Sequence, residues 1–188
     1  MGPRARRVVR DVAVAALVFQ IVHFIEHLAQ LGYWVLNPVS APWLTPWAIT
    51  GRDLLIVDGT AASGNELLHL VGNLIFLGGL LALVTLARSE PRGEEIPYLR
   101  PALWVQTVHV VEHLLLTGTY LAFGTAIGVT TLFGAASGAF GSGLRVWAHF
   151  LLNLVGTYLA IRAVVELQRR GLLLPGRLPD HDLLAIPH

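Results

Sequence analysis

Two nine-residue stretches carry the chemistry of this chain, QIVHFIEHL at Gln20–Leu28 and QTVHVVEHL at Gln106–Leu114. They agree at six positions, which include every His, Glu and Gln in either stretch. In each, two His stand four residues apart, about one helical turn, so both imidazoles face the same side. Neutral imidazole is the commonest metal ligand in proteins. The chain has no Cys, so a metal here is held by nitrogen and oxygen, a donor set that suits Zn, Cu or Fe. Both stretches also lie inside long apolar segments. An ionised side chain at the centre of a bilayer costs about 2.5–3.5 kcal/mol, and a bound cation compensates that cost.

A weaker pair extends the duplication. HLVGNL at His69–Leu74 and HFLLNL at His149–Leu154 share the His, the Asn and the final Leu. Helical spacing puts Gln20, His23, Glu26, His27 and Gln30 on one stripe, and Gln106, His109, Glu112 and His113 on a second. Glu66, His69 and Asn73 form a third stripe, His149 and Asn153 a fourth. The expected metal ligands are His23, His27, His69, His109, His113 and His149, with Glu66. Glu26 and Glu112 are the expected catalytic groups, acting as ligands or bases. Gln20, Gln106, Asn73 and Asn153 are expected beside them, orienting the imidazoles. Glu66 and His69 form the ExxH element used in di-iron carboxylate bundles. Val146 stands where a second such Glu would recur, so the two halves supply unequal carboxylate.

Other chemistries use the same residue types. A metal-free network of neutral His, protonated Glu, Gln and Asn is one, but polar pairs within membranes contribute only about 0.6 kcal/mol on average. That is a weak reason to retain six His. Haem b is another, with His69 and His149 as an axial pair, and it leaves the paired His and Glu unexplained. The strings HFIEH and HVVEH also resemble, over five residues per copy, the HxxEH motif of inverted zinc peptidases. That resemblance implies two His on zinc and a Glu that activates water. Hydrolysis is the minor reading, because a peptidase needs one catalytic Glu beside one zinc and is not built as duplicated membrane hairpins.

Helices in a bilayer are the elements that position these groups. A hydrophobic fraction of 54%, a mean hydropathy of +0.63 and 13% charged residues exclude an ordinary soluble domain. Four segments, Val12–Leu36, Glu66–Ala87, Pro101–Phe123 and Leu144–Leu167, reach the roughly 20 residues that span a bilayer. The first continues too far for a cleavable signal peptide. Arg4, Arg6, Arg7 and Arg10, then Arg88, Arg92 and Arg100, then Arg169, Arg170 and Arg177 flank them. By the positive-inside rule both termini are cytoplasmic. The two outer connections hold Trp43, Trp47 and the Gly-rich GVTTLFGAASGAFGSG; they are expected to lie in the interface or over the outer end of the helices. At about 1.5 Å rise per residue, the six intramembrane His fall in one layer between midplane and outer face. Gly72, Gly118 and Gly156 are expected to let helices approach there. His181 and His188, in the tail, are expected to be solvated.

The fold expected is an all-α membrane protein, one transmembrane domain over residues 1–188. Hairpins at 12–87 and 101–167 form a four-helix transmembrane bundle with a pseudo-two-fold axis along the membrane normal, followed by a cytoplasmic tail at 168–188. The expected function is integral membrane metal binding at a His/Glu site in the extracytoplasmic half, with one or two ions of Cu, Fe or Zn. Oxidoreductase activity on a lipophilic or extracytoplasmic small substrate is the enzyme reading; non-enzymatic metal or proton handling is the alternative. The net charge is only +1, and Arg clusters beside apolar segments set topology. The expected partner is therefore the lipid bilayer and not nucleic acid.

Overall fold

A computed structural model describes residues 1–37, 44–89, 95–132 and 143–173, and there is no strand among them. Among the described residues five helices carry the fold, and a further helical turn begins at Val129. α1 spans Pro3–Leu36, with Pro in its first turn, where the missing N–H costs nothing. α2, Pro46–Asp53, starts at Thr45, whose hydroxyl accepts from Ala48 N. α3, Ala61–Arg88, starts in the same way at Thr60, which accepts from Ser63 N. α4, Leu99–Phe123, stops at Gly124, which takes the left-handed conformation at φ 70°. α5 spans Gly143–Arg169.

α1 packs against α3 and α5, and α4 packs against the same two helices, while α2 lies on α3. Burial follows an inside-out pattern. Val18, Ile21, Val22 and Ile25 of α1, Val108, Val111 and Leu114 of α4, and Leu151, Val155 and Ile161 of α5 are exposed. Gln20, Glu26, Glu66, Asn73, Gln106, Glu112 and Asn153 are buried. In water this arrangement fails, since burial of apolar surface drives folding. In lipid it satisfies both faces. α1, α3 and residues Trp147–Arg169 of α5 are long and apolar enough to cross a bilayer, and they point to a membrane protein.

α4 does not join those three by composition, which differs from the four spans expected. The reason is local: Gln106, His109, Glu112 and His113 lower its average, and all four are buried. Its exposed side is apolar, and its 25 residues give about 37 Å at 1.5 Å per residue.

The helices are held together by two kinds of contact. Ala13, Phe76, Leu80, Leu83, Leu86, Ala102, Ala160, Ala163 and Leu167 form one apolar cluster. There a Cβ on Gly79 would stand 2.5 Å from the Ala16 Cβ, so α1 and α3 touch backbone to backbone, a close approach only a small residue permits. Gly156 faces Phe76 and Gly72 faces Phe19 and His23, whereas Gly118 faces nothing within 4 Å. Beyond this cluster come polar ties. Gln20 Nε2 donates to Asn153 Oδ1 at 3.2 Å and to Thr157 Oγ1 at 2.9 Å. Gln106 Nε2 donates to the Asn73 carbonyl and to its Oδ1, both at 2.9 Å. α1 is thereby fixed to α5, and α4 to α3.

Candidate metal centre

One turn from those ties, six imidazoles meet. The i, i+4 spacing places His23 over His27 on α1 and His109 over His113 on α4. α3 contributes His69 and α5 contributes His149. The ring nitrogens gather into two groups of three, His23 with His27 and His149, and His109 with His113 and His149. Each group offers three nitrogens within 4.8 Å of one another.

The second group is the tighter. His109 Nε2 is 2.9 Å and His113 Nε2 is 3.1 Å from His149 Nδ1, and the two Nε2 atoms are 3.2 Å apart. A tetrahedral metal bound at about 2.0–2.1 Å keeps its nitrogens about 3.3 Å apart, so the triangle is close to the base of such a site. In the first group His27 Nε2 lies 3.0 Å from His23 Nε2 and 3.1 Å from His149 Nε2.

The protons on two of these rings follow from their partners. Gln30 Nε2 donates to Glu26 Oε1 at 3.0 Å, so Gln30 Oε1, 3.0 Å from His27 Nδ1, accepts from that ring. His27 Nε2 is left with a lone pair directed at His23 and His149. Likewise His69 Nδ1, 2.7 Å from the Asn65 carbonyl, must donate, which leaves its Nε2 unprotonated. On α4 Leu116 stands where α1 has Gln30, and Nδ1 of His109 and of His113 are buried with no partner.

Several expected site residues have partners other than these two groups. His69 belongs to neither group of three; its ring stacks on His113 at 5.5 Å and 10° and lies 5.0 Å from His149. Glu26 accepts from the Thr45 backbone N–H at 3.0 Å and closely from the Thr45 hydroxyl. Glu112 accepts from Val129 N at 2.8 Å, Thr130 N at 3.0 Å and Thr130 Oγ1 at 2.6 Å. A Cβ on Gly128 would be 2.5 Å from Glu112 Oε1, so glycine is what brings that connection onto the carboxylate. Glu66 is in an ion pair, with both oxygens 2.7 Å from Arg145 Nη2. Gln20, Gln106 and Asn73 tie helices together and make no hydrogen bond to an imidazole; Asn153 Nδ2 comes within 3.5 Å of His149 Nε2. His181, His188 and Trp43 lie outside the described residues.

Three residues here escaped sequence reasoning, Thr45, Thr130 and Arg145. Thr45 carried a signal, since Thr before Pro is a helix start. Arg145 did too: it is four residues before His149 and so shares its face. With His109, Glu112, Thr130 and His149 it lines a cavity of about 10 Å³ against the second group, room for about one water.

A model described as a family of unknown function (DUF6008) matches residues 2–172. No curated protein and no solved structure matches the chain.

Proposed function

The chain belongs to that family of unknown function, and we propose that it is an integral membrane metalloprotein whose imidazoles hold a transition metal between its helices. The observation that carries this reading is the triangle of His109 Nε2, His113 Nε2 and His149 Nδ1, with edges of 2.9, 3.1 and 3.2 Å. Every nitrogen of a neutral imidazole offers either a hydrogen or a lone pair. A contact is favourable only between one of each, and three mutual contacts cannot all be of that kind. At least one edge sets hydrogen against hydrogen or lone pair against lone pair. A cation at the centre satisfies three lone pairs at once, which no arrangement of protons does. Nitrogen donors without thiolate suit Zn, Cu or Fe.

In this reading four helices cross the bilayer as two similar hairpins, with both termini cytoplasmic and the His layer towards the outer face. The inside-out burial of α4 and the Arg clusters at the opposite ends support it. Gln30 and Glu26 orient His27, in the way that partners behind a metal ligand commonly do. The six His with Glu66 were the ligand set expected from sequence; the two three-histidine groups make His23, His27, His109, His113 and His149 its working members.

An axial haem pair is less well supported. Two imidazoles on opposite faces of one haem are about 4 Å apart, nitrogen to nitrogen, with the macrocycle between them. His69 and His149 have ring centroids 5.0 Å apart at 71°, and their neighbours His27 and His113 lie within 4.8 Å of the His149 ring. Oxidoreductase activity rests on one feature, the cavity that Glu112 shares with His109 and His149. It sets a carboxylate, as a proton acceptor, beside the open coordination position that three ligands leave.

Metal analysis with an absorption spectrum on the purified protein tests the proposal. Stoichiometric Cu, Fe or Zn without a Soret band is expected, and His113→Ala loses it. Protein that is metal-free and binds none on reconstitution overturns the proposal; a Soret band substitutes the haem reading.

A further inference from the structure

The two groups of three are not separate, because His149 is a member of both. It joins them with different atoms. Its Nε2 is 3.1 Å from His27 Nε2, and its Nδ1 is 2.9 Å from His109 Nε2 and 3.1 Å from His113 Nε2. An imidazole has two nitrogens in fixed, divergent directions. The ring therefore stands between the groups as a spacer, with one lone-pair direction available to each.

We infer that the centre is dinuclear, with the His149 ring as an imidazolate bridge between a metal held with His23 and His27 and a metal held with His109 and His113. The inference rests on the metal-binding proposal above and goes further, since it fixes the number of ions, their separation and their electronic coupling. Each nitrogen of His149 gives one lone pair to one metal, and the ring proton leaves to solvent, displaced by the second ion. At metal–nitrogen bonds of about 2.0–2.1 Å the two ions stand about 6 Å apart across the ring.

Charge supports the arrangement. Two divalent ions held by neutral imidazoles alone would place a large uncompensated charge in a low-dielectric interior, which is very costly. The bridge is itself an anion. Each group also has a buried carboxylate at hand: Glu26 reaches His27 through Gln30, and Glu112 shares a cavity with His109 and His149. Glu66, already neutralised by Arg145 at 2.7 Å, adds no net charge. The sharing also accounts for the unequal halves. α3 has a His at the position matching His149, yet His69 holds its Nδ1 on the Asn65 carbonyl at 2.7 Å, and that nitrogen cannot bridge.

Copper(II) titration of the full chain in detergent tests this, with His181→Ala and His188→Ala removing the two tail imidazoles. Two equivalents are expected to bind. The electron paramagnetic resonance signal should grow with the first equivalent and be largely lost at helium temperature with the second, through antiferromagnetic coupling across the ring. His23→Ala should bind one equivalent and keep its full signal, and His149→Ala should abolish the coupling. Two equivalents with undiminished two-spin intensity mean independent sites and overturn the bridge while metal binding stands. A single equivalent in the otherwise unaltered chain overturns it equally. No binding at all overturns the metal proposal itself, and the bridge with it.

Discussion

Glu112 accepts two hydrogen bonds from Thr130, one from its backbone N–H at 3.0 Å and one from its hydroxyl at 2.6 Å. Glu26 does the same with Thr45, accepting from its backbone N–H and from its hydroxyl. In both cases a Glu flanked by the His pair on its own helix holds the first turn of the helix that follows, at 46 or at 129. An anion at a helix N-terminus is favoured by the helix dipole and by the free N–H groups there. The carboxylates thus fasten the connections to the His layer.

Thr130→Val should therefore loosen the second connection and spare the helices. A hydrogen bond to a charged group contributes about 1.5–3 kcal/mol, so amide exchange at Val129 and Thr130 should accelerate roughly tenfold or more. Hydrogen exchange read by mass spectrometry checks this. Unchanged exchange would mean that Glu112 does not hold the connection.

The Glu66–Arg145 pair is the next place to press. Arg145→Leu strands a carboxylate whose side chain is only 7% exposed. Breaking a fully buried pair costs about 3–5 kcal/mol; with Arg145 32% exposed, a loss nearer 2 kcal/mol is expected. Replacing both, as Glu66→Leu with Arg145→Leu, should recover most of it. Thermal unfolding in detergent of the single and double variants reads the difference.

Gly79→Ala puts a methyl group 2.5 Å from the Ala16 Cβ, and overpacking of this kind costs about 1–3 kcal/mol. Gly78→Ala is the control, because nothing lies within 4 Å of its Cβ. It should be neutral or mildly stabilising, since Ala is the better helix former by about 1 kcal/mol. Comparable melting temperatures for the two variants would remove the close α1–α3 contact.

Gln106→Leu separates two roles. As a tie from α4 to Asn73, its loss should cost about 0.6–1.7 kcal/mol, the range for polar pairs in membranes. A partner that orients an imidazole typically changes metal affinity 10–100-fold when lost. Competition with a chelator is expected to show a change smaller than that, since Gln106 touches no imidazole.

Acid should strip a metal held as proposed, and the sign is fixed by the imidazoles. A ligating His must be neutral, so protons compete with the ion and affinity falls as pH falls. Metal retained per chain after equilibration across a descending pH series checks it. Retention independent of pH would argue against imidazole ligation.

The sequence by itself determined which groups are present and on which side of each helix they lie. The repeated HxxEH strings, the single His with Asn on α3 and on α5, and the apolar residues between them specify helices with one polar stripe each, because i, i+3 and i, i+4 neighbours are fixed by local geometry. The need to bury those stripes away from lipid brought all six His together, as expected. Periodicity does not carry the rotation and axial register of one helix against its neighbour, which packing sets. That is why His149 serves both groups while His69 serves neither, why Glu26 and Glu112 turn to Thr45 and Thr130, and why Glu66 meets Arg145. Those partners lie 19, 18 and 79 residues apart in the chain. Only close packing of α1, α3, α4 and α5, tight at Ala16 and Gly79, decides which side chains can reach one another across them.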